Sequence, residues 1–238
     1  REEVRRIDVL LVRHGAAVSP SVVGWIEWWR GILAWHHQEF RDAEQHLRIG
    51  LNIARTIGDL RLEAWCLNDL GQQELAQGKV QGAEANLSEC VEVKKKLGDW
   101  CDVSIAIGNL ANVAEARGDF VRAKELYMES MRLARETSCW VLALTLCEMA
   151  RTDIYLDDMT SAQASLDESL VMARTVDPNT EAIAHSHLAL AELRVGRAQS
   201  ACTHLAMAIR PMRDPNFQSH SEFLVLAVRA AEMLGMSL

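Results

Sequence analysis

A histidine near the N-terminus is the first residue in the chain whose surroundings could support chemistry. It stands in Arg13-His14-Gly15, directly after the apolar run from Val9 to Val12. A histidine at the end of a buried strand could take up a phosphoryl group as a nucleophile. That chemistry requires a strand-rich α/β scaffold with further arginine and histidine partners, whereas the rest of the chain has a helical pattern. We therefore interpret this motif as a chance match.

Two other histidines invite a metal-site interpretation. His185 and His187 lie two residues apart on a predicted helix and so point to different sides, unlike zinc ligands at i and i+4. His36-His37 adjoins Trp35 and fits the edge of a groove. The sequence has neither a Gly-rich phosphate loop nor a Gly-x-Ser-x-Gly turn. We expect no catalytic residue, no metal and no cofactor, and hence a protein that is not an enzyme.

Composition and charge limit the kinds of partner and the cellular compartment that we expect for this protein. A net charge of −8 argues against contact with nucleic acid, because phosphate binding requires clustered Lys and Arg. The only basic run, Lys94-Lys95-Lys96, is interpreted as a solvated helix face. The six cysteines lack C-x-x-C spacing and scaffold density, which predicts ordinary thiols in a reducing compartment. With no membrane-length apolar stretch and no signal peptide, we expect a cytoplasmic protein without membrane contact.

A repeat of 39 or 40 residues organises most of the chain. In each copy a small residue is followed seven places later by Gly or a turn-tolerant substitute, and five places after that by Ala. The copies run over Gly31–Ala43, Gly71–Ala83, Ala111–Ala123, Ala150–Ala162 and Ala189–Ala201. A fixed period of this size is typical of a solenoid, in which each unit buries its apolar face by stacking on its neighbours. Such repeats bind partners far more often than they catalyse reactions.

Within each repeat, apolar residues at helical spacing predict two antiparallel helices, which we call A and B. Gly78-Lys79 is predicted to form the turn between them in the second repeat, and Gly58-Asp59 and Gly98-Asp99 to end helices B. Asp177-Pro178 and Asp214-Pro215 are expected to end later helices. The small residues of each repeat are expected where the backbones of helices A and B cross closely.

The pattern resembles the tetratricopeptide repeat family. It is carried by Leu70-Gly71, Gly78, Val80 and Ala83 in repeat two and by Leu110-Ala111, Gly118-Asp119-Phe120 and Ala123 in repeat three. The phrase from Ala64 to Gly71 and the ending Leu97-Gly98-Asp99 resemble the longer variety, of about 40 residues, found in bacterial signal-transduction ATPases and in LuxR-type regulators similar to the maltose activator. Three positions depart from the pattern and predict irregular geometry: Arg30, Asp157 and Arg197-Ala198.

The resemblance implies an all-α fold, a right-handed superhelix of about five helix-turn-helix repeats with flanking helices. Residues 1–19 would contain the last helix of a preceding repeat, and residues 20–238 would form the repeat domain. The repeats are expected at about 22–59, 60–99, 100–138, 139–178 and 179–215, with a capping helix over 217–235.

The resemblance also implies that helices A line a concave groove. The predicted groove residues are aromatic at the front of the array and polar further along: Trp25, Trp28, Trp35, His36, Trp65, Asn68, Gln72, Asn112, Arg151, Tyr155 and Arg194. Such a surface suits a peptide or a small apolar effector. An alternative is that the tryptophans of repeat one fill space between repeats or contact a neighbouring domain. Trp100 and Trp140, 40 residues apart, are interpreted as packing between repeats.

These expectations lead to three hypotheses for function. The first is the sensor or interaction domain of a multidomain bacterial regulator, with a protein, peptide or small-molecule partner bound in the groove. The second is a scaffold or adaptor protein that joins protein partners without a switch. The third is an enzyme similar to the histidine phosphatases, which would depend on His14.

Overall fold

The computed structural model describes residues 18–176 and 178–209, and over these residues the protein is all-α. The predicted fold class is therefore confirmed for the part of the chain described. The helices α1 to α10, in chain order, are Pro20–His36, Phe40–Ile57, Leu60–Ala76, Val80–Leu97, Trp100–Ala116, Phe120–Glu136, Leu142–Tyr155, Met159–Val176, Pro178–Arg194 and Ala198–Ile209. Odd-numbered helices correspond to helices A and even-numbered ones to helices B.

Contacts divide the chain into an N-terminal unit that ends at Arg117 and a C-terminal unit that begins at Gly118. The first contains α1 to α5 and the second α6 to α10. Several expectations lie outside the described residues: the His14 motif, nearly all of the helix predicted over 1–19, the capping helix over 217–235, and the turn residues Asp177 and Asp214-Pro215. The predicted repeat boundaries stay predictions.

Aspartates and glycines delimit the helices where the sequence places them. The carboxylates of Asp59, Asp99 and Asp119 each accept a hydrogen bond from the backbone N–H three residues further on, at 3.0–3.2 Å. These bonds satisfy donors that the first turn of a helix leaves without a partner. Gly58 and Gly98 end α2 and α4 with φ of 73° and 72°, a left-handed conformation that costs glycine little.

The prediction of irregular geometry at the three departures from the repeat pattern is wrong. At Arg197-Ala198 the N–H of Arg197 donates to the carbonyl of Glu192 at 2.8 Å, as that of Lys79 does to Glu74 in the second repeat. Asp157, at the position of the turn glycine, has φ 60°, close to the 73° of Gly78 in the second repeat. Aspartate tolerates this left-handed conformation better than most residues do. Arg30 replaces an apolar residue on α1, and its guanidinium lies 2.6 Å from Glu27, whose other oxygen lies 2.7 Å from Nδ1 of His46 on α2. The positive charge of Arg30 is therefore paired with Glu27 within the same hairpin.

The close crossing of the two helices of a hairpin depends on small residues. Ala43, Ala83 and their equivalents Ala123, Ala162 and Ala201 are all fully buried. A Cβ atom added to Gly71 would lie 2.5 Å from Cγ of Leu87 and 3.3 Å from the carbonyl oxygen of Ala83. At Gly31 the added atom would lie 2.7 Å from Cγ of Leu47. These distances leave no room for a larger side chain, as the sequence predicts.

Each unit has an apolar interior of its own. In the N-terminal unit, α3 contacts α1, α2, α4 and α5, and its leucines Leu62, Leu67 and Leu70 are fully buried. In the C-terminal unit one cluster joins residues of four helices, including Ile154, Leu166, Leu188 and Leu205. Burying side chains of this size contributes about 1.5–3 kcal/mol each, so the stacking of hairpins within a unit is its main source of stability.

A buried ion pair joins three helices of the C-terminal unit. Nζ of Lys124 on α6 lies 2.6 Å from a carboxylate oxygen of the fully buried Asp153 on α7, and 3.3 Å from Asp158 at the start of α8. Burial raises the pKa of the Asp153 carboxyl, and the hydrogen bond and charge of Lys124 oppose that shift. The hydrogen bond to Asp153 is the main reason that the pKa of Lys124 is raised. Lys124 therefore compensates a carboxylate that has no access to water.

The state of the cysteines tests the expectation of a reducing compartment, and the helices test the expectation that the chain does not cross a membrane. Cys66, Cys90, Cys147 and Cys202 carry free thiols, as expected. Cys101 and Cys139 are not free, so the expectation of ordinary thiols is wrong for these two, and the cysteines do not argue for a reducing compartment. Among the described helices, none has both the length and the apolar character needed to cross a membrane.

Replacing Ala83 by Arg should lower the stability of the protein sharply. The longer side chain would overpack the α3–α4 crossing at a cost of about 1–3 kcal/mol or more, which corresponds to a fall in Tm of several degrees. Thermal unfolding followed by circular dichroism measures the change. Ala85→Arg is the matched control, since Ala85 lies on the same helix and is exposed. Equal Tm values for the two variants would remove the close-packing role of Ala83.

Replacing Lys124 by Met should destabilise the protein by about 3–5 kcal/mol at neutral pH, because it leaves a buried carboxylate without its cation. Burial already raises the pKa of Asp153, so protonation favours the folded state, and the loss should shrink as the pH falls toward about 4. Denaturant unfolding at several pH values measures this. Arg132→Met, which removes an exposed charge from the same helix, is the control. A loss that is equal at all pH values would contradict the assignment.

Candidate functional site

Four tryptophans form one cluster on the helices A of the N-terminal unit. Trp28 and Trp29 lie three and four residues after Trp25 on α1, so both are its neighbours on one side of that helix, and Trp65 comes from α3. Trp28 is at the centre: its ring centroid lies 5.7 Å from that of Trp25, 4.8 Å from Trp29 and 5.5 Å from Trp65. All three pairs meet edge to face, with interplanar angles of 63–82°. We call these four residues the tryptophan face.

Much of the tryptophan face is open to solvent. Trp29 is 54% exposed and Trp65 is 38% exposed, while Trp25 and Trp28 are half-buried. The cluster therefore does not simply fill space between repeats. Contact with a neighbouring domain, the other part of the alternative left by the sequence, stays a prediction. Large aromatic side chains are enriched among the residues that dominate binding energy, and an exposed group of them commonly marks a binding surface.

A chain of hydrogen bonds fixes the central tryptophan and continues across three helices. The indole N–H of Trp28 donates to Oδ2 of Asp69, at 2.6 Å, and the amide of Asn68 donates to the other oxygen of that carboxylate, at 3.1 Å. The amide of Asn109 on α5 donates to Oδ1 of Asn68, at 2.9 Å. Consecutive helices A are thus linked by polar side chains beside the tryptophan face, which restrains Trp28 in one orientation.

A buried lysine lies under the face, beside Trp65. Nζ of Lys94, which is buried, lies 5.9 Å from the centroid of the Trp65 ring and 3.6 Å from Oδ2 of Asp102. Burial raises the pKa of the Asp69 carboxyl, and the hydrogen bonds from Trp28 and Asn68 and the charge of Lys94 oppose that shift. One lysine therefore serves two carboxylates. The interpretation of Lys94 as part of a solvated face is wrong, because its flexible chain reaches back between the helices.

The other predicted groove residues of this unit lie in different surroundings. Trp35 packs edge to face on Phe40, with centroids 5.2 Å apart, and the neighbouring His36 is exposed in the last turn of α1. Gln72 is exposed, and Asn112 is half-buried with polar contacts. Of the predicted set, Trp25, Trp28, Trp65 and Asn68 come together. The role of the whole set as a binding groove stays a prediction.

Sequence reasoning missed three members of the site, although a signal was present. Trp29, Asp69 and Asn109 are spaced 40 residues apart, at the same position of consecutive helices A. That position is the neighbour of the one occupied by Trp28 and Asn68. The repeat register could have identified this second row, but only the contacts show that it carries the acceptor for the Trp28 indole.

In the C-terminal unit, two of the three predicted residues meet. Tyr155 stacks on Phe120 with centroids 4.8 Å apart, and the guanidinium carbon of Arg194 lies 5.2 Å from the Tyr155 ring centroid. Arg151 instead pairs with Glu148 on its own helix, at 2.7 Å. Tyr155 and Arg194 therefore form a small, partly exposed aromatic and cationic pair, distinct from the tryptophan face.

Trp100 and Trp140 do not pack between repeats as the sequence suggested. Trp100 is 48% exposed at the start of α5, and Trp140 is 66% exposed just before α7. The interpretation is wrong because each side chain stands at the end of a helix rather than on its buried face. Trp100 provides a useful comparison, since it lies in the same unit as the tryptophan face and is similarly exposed.

The buried thiols and histidines have structural surroundings. Burial raises the pKa of Cys66 and Cys147 to about 12 and that of Cys90 to about 11, so these thiols stay protonated and poorly nucleophilic at neutral pH. His187 is within 2.9 Å of the backbone carbonyl of Cys147, and His185 stacks on His204. Over residues 18–176 and 178–209, no three His, Cys, Asp or Glu side chains are grouped so as to hold a metal ion.

Comparison with known proteins rests on structure alone. No protein-family model matches the sequence, and no curated protein matches it. The solved structures include BtubC from P. vanneervenii, with 20% identity and a TM-score of 0.68 over 92% of this chain and 91% of that one. A tetratricopeptide repeat protein of Thermus thermophilus has 20% identity and a TM-score of 0.63 over 90% of this chain and 100% of its own.

A third similar structure is that of a larger protein. It is a signal transduction ATPase with numerous domains and a tetratricopeptide repeat sensor, from Pyrococcus horikoshii, with 14% identity and a TM-score of 0.73. The match covers 98% of this chain but only 37% of that protein. At such identities the likeness establishes the fold and not the activity. Together with the helix pairs and their small crossing residues, it confirms that this chain has the tetratricopeptide repeat fold.

Proposed function

We propose that this protein binds an extended segment of a partner protein on the tryptophan face, and that it acts as an interaction module rather than as an enzyme. The observation that carries the proposal is the exposure of Trp29 and Trp65 within a cluster of four interlocked indoles. Leaving such large apolar rings in water is unfavourable, and covering them with a partner would recover about 25 cal/mol for each Å² of apolar surface buried.

The hydrogen bonds behind the cluster support binding by reducing its entropic cost. The Trp28 indole is held by Asp69, and Asp69 is held in turn by Asn68. A side chain that is already ordered loses little freedom when a partner covers it, which otherwise costs about 0.5–1.5 kcal/mol for each immobilised side chain. Exposed polar residues further along helices A, such as Gln72, would supply hydrogen bonds to a peptide backbone.

The biological setting that we propose is the sensor or interaction part of a multidomain bacterial regulator in the cytoplasm. The likeness to the ATPase from Pyrococcus horikoshii, a protein with a tetratricopeptide repeat sensor, supports this setting. A scaffold or adaptor is the second candidate, and the tetratricopeptide repeat protein of Thermus thermophilus, whose solved chain is matched over its whole length, favours it. Nucleotide-binding or helix-turn-helix sequence beside this segment in the parent gene would support the regulator and oppose the adaptor.

The tryptophan face can be tested without knowing the partner. A library of displayed random peptides is selected on the protein, and each recovered peptide is measured against the double variant Trp29→Ala, Trp65→Ala and against Trp100→Ala. We expect the double variant to lose at least tenfold in affinity and Trp100→Ala to keep it, since Trp100 is similarly exposed but outside the cluster. Circular dichroism confirms that both variants are folded. Peptides that bind all three proteins equally would exclude this face as the binding site.

A further inference from the structure

We propose that binding on the tryptophan face is controlled by the ionisation of Asp69. The ionised carboxylate holds Trp28 in the orientation that receives the partner, and proton uptake weakens that hold and hence the binding. This inference rests on the proposed function and adds a mode of regulation to it. Two features of the N-terminal unit support it: the hydrogen bonds that meet at the carboxylate, and the interior in which the carboxylate lies.

Both oxygens of the Asp69 carboxylate act as hydrogen-bond acceptors. Oδ2 accepts from the indole N–H of Trp28 at 2.6 Å, and Oδ1 accepts from the amide of Asn68 at 3.1 Å. The oxygen of that amide accepts in turn from Asn109, at 2.9 Å. Only the ionised form of an aspartate offers two acceptors and no donor, and hydrogen bonds to an ionised group are roughly twice as strong as neutral ones. The arrangement is therefore complete only while Asp69 is ionised.

Protonation places a donor where this arrangement requires an acceptor. A carboxylic acid carries its proton on one of the two oxygens. If that oxygen is Oδ2, its O–H faces the N–H of Trp28 and the bond between them is lost. If it is Oδ1, the amide of Asn68 has to turn over, which disrupts its bond to Asn109 and leaves Trp28 bonded to a neutral group. Both protonated forms thus hold the indole less firmly.

A less ordered Trp28 affects the whole tryptophan face because it is the central ring. The centroids of the other three indoles lie 4.8–5.7 Å from that of Trp28, so each of them packs directly on it. When Trp28 changes orientation, these contacts have to rearrange. A partner then has to restore the order of the cluster as it binds, and this loss of conformational freedom lowers its affinity.

The interior around Asp69 favours protonation. Burial raises the pKa of the Asp69 carboxyl, while its two hydrogen bonds and the charge of Lys94 oppose that shift. Two buried thiols also interact with this carboxylate. Burial, and then the charge of Asp69, raise the pKa of Cys66 to about 12, and burial raises that of Cys90 to about 11. Both thiols are therefore neutral over the pH range in which a carboxylate titrates, and they supply no positive charge.

The cations of the neighbouring helices have other partners or lie at the surface. Lys94 on α4 is 3.6 Å from Oδ2 of Asp102 on α5, so its charge is divided between two carboxylates. Arg61 is exposed in the first turn of α3. The arginines of α1 and α2 that pair with glutamates are Arg30 and Arg55. Asp69 therefore depends on a shared lysine and two hydrogen bonds to stay ionised.

The test uses peptides from the displayed library that bind the wild type and lose affinity in the Trp29→Ala, Trp65→Ala variant. Peptides without Asp, Glu or His and with blocked termini are chosen, so that only the protein titrates. Affinities are measured from pH 8 to pH 4.5, over the range in which circular dichroism shows a folded protein. We expect the affinity of the wild type to fall at least tenfold toward acidic pH, by up to tenfold for each pH unit once the carboxylate takes up its proton.

Two variants and one resonance assign the effect to Asp69. Asp69→Asn imitates the protonated form, since an amide has one acceptor and one donor group. It should bind at least tenfold more weakly than the wild type at pH 8 and change less than threefold with pH. Asp102→Asn, which removes the other carboxylate beside Lys94 but no bond to an indole, should keep the fall. In the free wild type the indole N–H resonance of Trp28 should move with the same midpoint, while that of Trp100 stays in place.

The outcomes separate this inference from the proposed function. A wild-type affinity that stays constant over the folded pH range overturns the inference, and so does a wild-type pH profile in Asp69→Asn. If Asp69→Asn does not fold, a Trp28 resonance that stays in place as the pH falls shows that the inference is wrong. The proposed function survives each of these results, because the same peptides have already lost affinity in the Trp29→Ala, Trp65→Ala variant. If no library peptide loses affinity in that variant, both proposals fail.

Discussion

The close crossing of the two helices in a hairpin is the constraint on which the other features depend. Gly71 and Ala83 allow the backbones of α3 and α4 to approach until Leu87 fills the remaining space. Because helix B covers one side of helix A in this way, the opposite side of helix A is free to carry side chains that the core does not need. Trp65 and Asp69 occupy that side. The packing of small residues thus leaves a surface on which aromatic and polar groups can be placed.

Because the repeats stack in register, residues at equivalent positions of successive repeats lie side by side. Positions 41 residues apart in the sequence become adjacent on consecutive helices A, as Trp28 and Asp69 or Asn68 and Asn109 illustrate. A polar chain from Trp28 through Asp69 and Asn68 to Asn109 results from this stacking. The N-terminal unit is therefore ordered along the tryptophan face by hydrogen bonds, in addition to the apolar contacts of its interior. That order makes the tryptophan face a rigid surface.

The fold could be predicted from the sequence because small residues and turn glycines recur at a fixed period. The candidate site could be predicted only in part. Backbone turns at Gly58, Gly78 and Gly98 and the buried alanines follow from spacing alone. The contacts of long side chains do not follow from spacing. Lys94 belongs to a basic run in the sequence, yet its methylene chain lets the amine reach Trp65 and Asp102. Trp100 shows the opposite error, since a regular spacing did not imply burial.

The indole N–H resonances of the seven tryptophans provide the most direct test of whether a partner binds on the tryptophan face. They can be resolved in a two-dimensional ¹H–¹⁵N spectrum, assigned with single Trp→Phe variants and followed while a peptide selected from the displayed library is added. If the tryptophan face is the binding surface, the resonances of Trp25, Trp29 and Trp65 shift together with one affinity, while those of Trp35, Trp100 and Trp140 stay in place. Shifts confined to Trp100 or Trp140, with the cluster unchanged, would contradict it.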